Sequence, residues 1–326
     1  MENRRPFRFG VIAERVGTRD ELIELAQRAE RLGFDTLLIR DHIAPDFFGV
    51  QLGPIAALAT VAAVTSTLRI GTLVLSNDYR HPAILAKEAA TLDLLSGGRL
   101  ELGIGAGWLR NEYQQAGLPF DANGVRVSRL AESLEILAGL FGGAPYSFAG
   151  KHYRITDHQL FPPPTQRPRP PILVGAGYPR MLRLAGRHAD IVGILTTSVA
   201  SGVVEDEPLL RRDDHVARQI GWVREGAGER FGGIELSSVL SVEVTDDRAG
   251  AIERMIAERD WDGVTTADVV RMPAIAIGST EEIAEGLARW RSTLGLSYAV
   301  VSSDDLDAFA PVVARLGAGG AGATPR

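Results

Sequence analysis

Residues 68–112 constrain the fold more than any other part of the chain. They begin with an apolar run, 68–75, whose length and β-branched side chains are typical of a buried strand. A turn-forming cluster follows, and Pro82 then begins an apolar helical pattern that ends at a pair of glycines. The next predicted strand, 99–103, leads into another loop. A strand, a helix and a second strand in this order predict two parallel strands with a right-handed crossover.

The same alternation continues along the rest of the 326 residues. The predicted strands are 7–13, 35–39, 68–75, 99–103, 171–174, 190–194, 234–244, a short 274–277 and 298–302. The predicted helices are 19–32, 54–65, 83–95, 128–141, 179–187, 209–229, pieces within 248–271, 280–294 and 304–316. About eight strands that alternate with helices predict an α/β fold, a (β/α)8 TIM barrel. A doubly wound open sheet is the competing architecture, but it needs a topological switch and usually has fewer strands.

Two stretches depart from this alternation. Residues 142–171 are rich in glycine and proline, which predicts a hairpin-like excursion after the fourth helix and a stiff, extended connection. Residues 195–208 are predicted to form a long polar loop after the sixth strand. We interpret both as insertions into a single domain, 1–316, because the strand and helix pattern resumes after each of them. Residues 317–326 are rich in glycine and alanine, and we expect them to form a disordered tail.

Composition excludes several classes of protein. Hydrophobic residues make up 45% of the chain and charged residues 23%, as in ordinary soluble globular proteins. The net charge of −6 argues against a surface for nucleic acid, which would need a basic stripe. The chain has no cysteine, so disulfides, thiolate metal sites and a cysteine nucleophile are excluded. We find neither a signal peptide nor a membrane-spanning run, and we expect a cytoplasmic protein without a membrane partner.

Polar or glycine-rich clusters follow four of the predicted strands. In a parallel barrel the functional groups stand at the carboxyl ends of the strands, so we expect these clusters to meet at one mouth. The clusters are Asp41-His42, Ser76-Asn77-Asp78, Gly105-Ala106-Gly107-Trp108 and Gly175-Ala176-Gly177.

The turn at Gly175-Ala176-Gly177 is the best candidate for binding an anion. Small residues let backbone N–H groups approach a phosphate, the helix that follows offers its positive end, and Arg180 adds charge. An ordinary tight turn between a strand and a helix is the alternative. The glycine-rich segment 103–108 is not a dinucleotide fingerprint, because Trp108 occupies the third glycine position. We interpret that segment as a place where the backbone closely approaches a flat ring.

Asp41 and His42 are candidates for acid–base chemistry. A histidine titrates near neutrality and can supply or accept a proton, although an Asp-His pair also serves as a plain structural hydrogen bond. Glu14 follows the first strand and either lines the mouth or is an exposed residue ahead of a helix. His152 and His158 have no third ligand at metal spacing, so we predict no metal site.

The segment GTLVLSNDYRHPAILAKEAATLDLLSGGRLELGIGAGW and the triplet Arg40-Asp41-His42 resemble the luciferase-like monooxygenase superfamily. Within it, the chain is most similar to oxidoreductases that use the deazaflavin coenzyme F420, and the similarity extends over residues 7–316. The resemblance implies a bacterial-luciferase-like barrel and hydride transfer between carbon five of the deazaflavin and a small organic substrate. An FMN-dependent monooxygenase that uses reduced flavin and O2 is the alternative. A barrel that has kept the fold but lost catalysis is a second one.

The resemblance also implies roles for individual residues. His42 would act as the acid or base, or hold the substrate. A cis peptide bond would join Leu73 to Val74 and bulge against the rear face of the ring. Implied ring contacts are Asp41, Leu73, Val74, Ser76, Ala106 and Asn111, and implied contacts around the cofactor phosphate are Gly175, Gly177, Tyr178, Arg180 and Met181.

Trp108 is a departure from part of this family. The sugar-phosphate dehydrogenases of the family carry an acidic catalytic residue at this place, and a neutral indole cannot accept a proton. It can stack on a flat substrate or exclude water. We therefore expect a substrate other than a sugar phosphate, with Trp108 and Glu14 in its pocket. The resemblance also implies a homodimer through helices 54–65 and 83–95, and it leaves open whether a separate enzyme supplies reduced cofactor.

Overall fold

Helices and strands alternate along the residues that the computed structural model describes, which are 5–44, 49–197, 199 and 202–317. The strands are β1 (Arg8–Ile12), β2 (Thr36–Ile39), β3 (Arg69–Thr72), β4 (Leu75–Ser76), β5 (Leu100–Gly105), β6 (Tyr146–Ala149), β7 (Arg154–His158), β8 (Ile172–Ala176), β9 (Ile191–Ile194), β10 (Glu235–Val239), β11 (Ser241–Val244), β12 (Ile275–Gly278) and β13 (Leu296–Ser302). The helices are α1 (Arg19–Arg31), α2 (Pro54–Val64), α3 (Pro82–Leu95), α4 (Arg110–Gln115), α5 (Asn123–Phe141), α6 (Pro179–His188), α7 (Asp213–Ala227), α8 (Arg248–Glu258), α9 (Thr266–Val270), α10 (Thr280–Leu294) and α11 (Leu306–Gly317). Within these ranges, no helix is both long enough and apolar enough to cross a bilayer.

Parallel strands close into a barrel. Their order around it is β3, β2, β1, β13, β10, β9, β8 and β5, and β5 pairs back with β3 through Ile70 opposite Leu100 and Gly71 opposite Glu101. Six side chains from β1, β2, β8, β9 and β13 fill the interior, and a larger apolar core lies between the strands and the helices. The predicted (β/α)8 barrel is confirmed, and the open sheet is excluded because β3 and β5 leave no free edge.

The strand predicted at 68–75 is interrupted where it meets β5. Three residues, 72–74, lie between the pairing of Gly71 with Glu101 and the pairing of Leu75 with Ile104, whereas β5 has only two residues there. The extra residue makes a bulge. The peptide bond between Leu73 and Val74 is cis, as the resemblance implied. Both side chains are partly buried and pack against the cluster that fills the barrel.

Two further elements differ from the sequence prediction. The strand predicted at 234–244 divides after β10, since β11 leaves the barrel and pairs in parallel with β12. The helix α4 was not predicted, because its six residues, RNEYQQ, carry no apolar repeat.

The insertion at 142–171 contains an antiparallel hairpin of β6 and β7. The hairpin packs beside α5, where Glu132 accepts backbone N–H bonds from residues 151–153. Tyr153 carries the contact to the barrel, since its hydroxyl accepts a bond from Asn77 and its ring packs edge-on against His81. The segment therefore braces the turn after β4 from the side. His81 caps α3 by accepting a bond from the backbone N–H of Ala83.

A charged cluster fills the amino-terminal end of the barrel. Arg8 bonds Glu101 and Glu235, the latter at 2.7 Å, and its guanidinium lies 4.4 Å from the centre of the Tyr298 ring. Arg69 reaches the same Glu101 at 2.5 Å. Glu101 is 1% exposed, and a carboxylate at such a site has to be paired. These side chains plug the end of the barrel opposite the loops that follow the strands.

Arg99 differs from Arg8 and Arg69 in that it bonds backbone carbonyl oxygens instead of the carboxylate of Glu101. Its guanidinium donates to the carbonyl oxygens of Ala62 and Leu68 at 2.8 and 2.6 Å, and its Nε donates to the carbonyl of Ser96. This arginine satisfies carbonyl groups near the ends of α2 and α3, which have no partner within their own helices.

Replacement of Gly103 by alanine tests the closure of the barrel. A Cβ at this position would overlap the carbonyl of Thr72, and Thr72 cannot move freely because its hydroxyl bonds both the N–H and the carbonyl of Gly103. We expect Gly103→Ala to lower the free energy of unfolding by about 3 kcal/mol or more, measured by urea denaturation. Gly286→Ala in α10 is the control, since no atom lies within 4 Å of the added Cβ and the change should stabilise the helix by ~0.5–1 kcal/mol. Equal stability of the two variants would contradict this account.

Candidate active site

The carboxyl ends of the parallel strands meet at one rim of the barrel, and this rim carries the four clusters selected from the sequence. Asp41 and His42 follow β2, and Ser76 ends β4. Trp108 follows β5, and Gly177 follows β8. Two direct contacts join these clusters: Asp41 accepts a bond from Ser76, and the rings of His42 and Trp108 touch. These contacts connect three of the four clusters, and the turn at Gly177 lies at the same end of the barrel.

Asp41 bonds residues beyond its neighbour His42. Its Oδ2 accepts from the backbone N–H of Ser76 at 2.9 Å and from Nη1 of Arg80 at 2.6 Å. Its Oδ1 accepts from Nη2 of Arg80 at 3.0 Å. The side chain is only 6% exposed. Asp41 thus fixes the turn after β4, and the two residues of the predicted pair bind different partners.

His42 bonds a residue that sequence reasoning did not select. Its Nδ1 lies 3.1 Å from Oε2 of Glu112 in α4. The imidazole also meets the indole of Trp108 edge-on, with ring centres 5.9 Å apart and planes at 85°. Both side chains of the His42–Glu112 pair are less than a tenth exposed. An imidazole held on one side by a carboxylate has a fixed orientation, which acid–base chemistry at the rim requires.

Glu112 accepts four hydrogen bonds. Its Oε1 accepts from the backbone N–H groups of Ile43 at 2.7 Å and Ala44 at 3.1 Å. Its Oε2 faces His42 and accepts from the Tyr79 hydroxyl at 3.2 Å. Burial opposes the charged form, but the bonds from His42, Ala44 and Ile43 outweigh it and lower the pKa of Glu112. The charged carboxylate therefore anchors both the histidine and the loop that follows it.

A second buried group holds Ser76. Its hydroxyl lies 3.1 Å from that of Tyr113, which donates to Asp78 at 3.1 Å, and Asp78 also accepts from Arg129 at 2.6 Å. Burial, together with the charge of Asp78, raises the pKa of Tyr113, so the phenol stays neutral. Gly107 packs against this group with φ +76°, and a Cβ there would overlap the Tyr113 hydroxyl.

Glycines of segment 103–108 lie close to the stretch that precedes β4: a Cβ on Gly105 would come within 2.8 Å of the Val74 side chain. The predicted approach of this backbone to a flat ring stays a prediction. Val74 also lies 3.9 Å from the position of a Cβ on Gly175. The glycines thus accommodate the bulge before β4. Ala106, at the same rim, is partly buried.

Glu14 is part of the rim and is not an exposed residue ahead of a helix. Its Oε1 accepts from Arg40 at 2.6 and 3.2 Å, and its Oε2 accepts from the hydroxyl of Ser302 at 2.7 Å. The side chain is 10% exposed. These bonds join the carboxyl ends of β1, β2 and β13.

The helix α6 begins at the predicted anion-binding turn. Its N-cap residue, Tyr178, makes no side-chain capping bond, and Pro179 has no N–H. Among the described residues, no side chain is seen to cap this first turn, which contains the backbone N–H groups of Arg180 and Met181. Arg180 extends toward the start of α5, with Nη1 3.2 Å from the position of a Cβ on Gly124. A phosphate fits the charge and the open N–H groups of this turn.

Gln219 of α7 holds the anion-binding turn in place. Its Nε2 donates to the carbonyl oxygens of Gly177 at 2.9 Å and Leu195 at 2.8 Å. The loop after β9 is tied at its other end as well, because the carbonyl of Gly202 accepts from the N–H of Arg110 in α4 at 3.3 Å. The turn after β8 and the start of α4 are thus joined by one loop.

Sequence reasoning missed Glu112, Tyr113 and Gln219. Glu112 and Tyr113 lie in the short helix α4, where the only available signal was a carboxylate and a phenol soon after the glycine-rich strand end. Gln219 gave no signal, because a single glutamine in an amphipathic helix is ordinary. Asn111, which was selected, is an exposed residue of α4.

An acidic group surrounds the end of β13. Asp305 lies beside Asp304 and Glu14; burial, together with these two charges, raises its pKa to about 6. Over the described ranges, no three histidine, aspartate or glutamate side chains are grouped as ligands for a metal ion.

The chain is similar in sequence to known proteins. A family model described as luciferase-like monooxygenase matches residues 6–297. An F420-dependent glucose-6-phosphate dehydrogenase from Microbacterium testaceum is 34% identical over 225 residues. The aligned part covers 68% of this chain and 65% of that relative, so the chain spans slightly less than two thirds of the relative's length.

Solved structures share the fold at low identity. An F420-dependent secondary alcohol dehydrogenase, in complex with an F420-acetone adduct, superposes with a TM-score of 0.74 at 20% identity, over 96% of this chain and 99% of that one. The EDTA monooxygenase of Chelativorans sp. BNC1 superposes with a TM-score of 0.77 at 16% identity, over 97% and 94%. At these identities the likeness establishes the barrel alone.

Substitution of Asp305 tests the acidic group. The folded state keeps a proton on Asp305 up to about pH 6, whereas an ordinary aspartate has a pKa of 3.8. The folded state thus binds more protons between these values, and its stability falls as the pH rises through them. We expect Asp305→Asn to stabilise the protein by about 1 kcal/mol at pH 7, a figure reduced for partial exposure, and to leave it unchanged below about pH 4. Parallel stability profiles of the two proteins, measured by urea denaturation from acid to neutral pH, would contradict this assignment.

Proposed function

Because the chain belongs to the luciferase-like monooxygenase family, we propose that it is an oxidoreductase that uses coenzyme F420. The observation that carries the proposal is that one rim combines an oriented imidazole, His42, with the N-terminus of α6, where the N-cap side chain makes no capping bond. A relative that aligns over 68% of the chain is named an F420-dependent dehydrogenase. When bound, F420 supplies a ring carbon that gives or accepts a hydride.

The ring of the coenzyme is assigned to the rim around the ends of β4 and β5. Here the turn after β4 is fixed by the bond from Ser76 to Asp41, and Val74 fills the space beside Gly105. These residues form a rigid wall. The proposed ring contacts are Asp41, Leu73, Val74, Ser76, Ala106 and Asn111.

The phosphate of the coenzyme is assigned to the first turn of α6. The open N–H groups of this turn, the positive end of the helix and the guanidinium of Arg180 together favour an anion. Gln219 keeps the turn in position. The proposed phosphate contacts are Gly175, Gly177, Tyr178, Arg180 and Met181.

His42 is proposed to exchange the proton of the substrate. Oxidation of an alcohol releases a proton from the hydroxyl as the hydride leaves carbon, and reduction of a carbonyl takes one up. Trp108 and Glu14 are proposed to line the substrate pocket, with Trp108 as an apolar wall. Glu14 is already bonded to Arg40 and Ser302. This pocket favours a small organic substrate other than a sugar phosphate.

The proposal also includes a second enzyme and a location in the cell. A hydride moved in one direction has to be returned by another reaction, so a separate enzyme is proposed to restore the coenzyme. A cytoplasmic location is proposed as well, since a chain without cysteine suits a reducing compartment.

A homodimer through α2 and α3 is the proposed assembly. α3 exposes Ile84, Leu94 and Leu95 to 57%, 50% and 65%, and Phe161 of the insertion beside it is 61% exposed. Large apolar side chains grouped in this way favour an interface between two copies.

Cofactor binding and turnover test the proposed chemistry. We expect tight binding of F420 and weak binding of FMN in fluorescence titrations, and we expect His42→Gln to lower kcat by about 10²–10⁴-fold. His158→Gln, in the exposed strand β7, is the matched control and should leave kcat unchanged. Tight FMN binding without F420 binding would instead support a flavin monooxygenase.

Charge placed on α3 tests the proposed dimer. We expect Leu95→Arg to convert the dimer to a monomer in sedimentation experiments, because a buried unpaired charge costs several kcal/mol. Leu209→Arg replaces another exposed leucine, 48% exposed, away from α2 and α3, and should leave the dimer intact. A wild-type protein that sediments as a monomer would refute the assembly.

A further inference from the structure

The carboxylate of Glu112 accepts bonds from two kinds of donor. The donors to Oε1 are the backbone N–H groups of Ile43 and Ala44, which can only donate. The groups at Oε2 are the imidazole of His42 and the hydroxyl of Tyr79, and both can either donate or accept. The partners at Oε1 therefore always donate. The partners at Oε2 can become acceptors if the carboxylate is replaced by a group that donates.

This arrangement determines where the proton of a neutral His42 lies. A carboxylate can only accept hydrogen bonds, so the imidazole nitrogen that faces Oε2 has to carry a hydrogen. That nitrogen is Nδ1, at 3.1 Å. The other nitrogen, Nε2, is then the one with a lone pair and the one able to accept a proton.

We propose that Glu112 is the positioning residue of this site: it holds His42 in the tautomer that makes Nε2 the base for a substrate hydroxyl. This rests on the proposed function for its kinetic consequence only. In the oxidation of an alcohol, the hydroxyl proton moves to Nε2 and the C–H pair leaves as hydride to the coenzyme. The carbon–oxygen single bond becomes a carbonyl, so the electrons and protons balance.

The substitution Glu112→Gln keeps the size of the side chain and reverses the tautomer. The backbone N–H groups of Ile43 and Ala44 require the amide oxygen of the glutamine on their side. The amide NH2 then faces His42 and Tyr79, and it can only donate. Nδ1 of His42 has to become an acceptor, so its hydrogen moves to Nε2. The histidine stays in place but loses its base at the rim.

Nitrogen-15 NMR measures this tautomer independently of turnover. At alkaline pH, where an imidazole is neutral, we expect the wild-type His42 to carry hydrogen on Nδ1 and the Glu112→Gln variant to carry it on Nε2. The His42→Gln variant identifies the resonances of His42. A wild-type protein with hydrogen on Nε2, or a variant with an unchanged tautomer, would overturn the proposal.

Kinetics give the second measurement. We expect Glu112→Gln to lower kcat for alcohol oxidation by about 10²–10⁴-fold, with KM changed less than about threefold, because the substrate pocket keeps its shape. A change confined to KM would overturn the positioning role. If the tautomer switches while kcat stays the same, Glu112 still positions the imidazole, and the role of His42 as the base is refuted instead.

Glu132 provides the matched control. Both of its oxygens accept from backbone N–H groups, Oε1 from Lys151 and Oε2 from His152 and Tyr153. A glutamine there cannot satisfy both sides, so Glu132→Gln should lower Tm at least as much as Glu112→Gln. It should leave the His42 tautomer and kcat unchanged. A comparable loss of kcat in both variants would mean that lost stability explains the effect. That result would refute the positioning role of Glu112.

Discussion

The pairing of β3 with β5 is the constraint on which the rest of the structure depends. It closes the sheet, and it requires an approach so tight that the carbonyl of Thr72 occupies the place of a side chain on Gly103. Closure fixes the shear of the strands, so their carboxyl ends come to one rim in a set order. Loops that are far apart in the chain thereby meet. The position of every candidate functional residue follows from this one contact between strands.

Two buried carboxylates, Asp41 and Glu112, hold residues at the rim of the barrel in place. Asp41 ties the turn after β4 to Arg80, and Glu112 ties the loop after β2 to α4. Each is nearly inaccessible to water, so removing its donors would leave an unpaired charge at a cost of several kcal/mol. The turn after β4 and residues 42–44 are therefore held in place. The contact with Glu112 fixes the orientation of His42. Acid–base chemistry requires a side chain that is held rigidly in this way.

The sequence predicted the barrel because the alternation of strand and helix repeats along the whole chain and needs no knowledge of distant contacts. It selected His42 and the turn at Gly177 for a related reason, since both follow a predicted strand. It did not reveal Glu112, because α4 has no apolar repeat and its contact with His42 spans 70 positions in the chain. It did not reveal, for the same reason, that Gly105 makes room for the side chain of Val74. Local patterns predict elements, and pairings between distant residues have to be observed.

The ionic cluster around Arg8 and Glu101 bears on how a reactant reaches the rim. Paired charges and the Tyr298 ring occupy the amino-terminal end of the barrel, and apolar side chains fill the interior above them. A reactant therefore cannot pass along the axis of the barrel. It approaches the candidate site from the solvent beyond the carboxyl ends of the strands, and it departs on the same side.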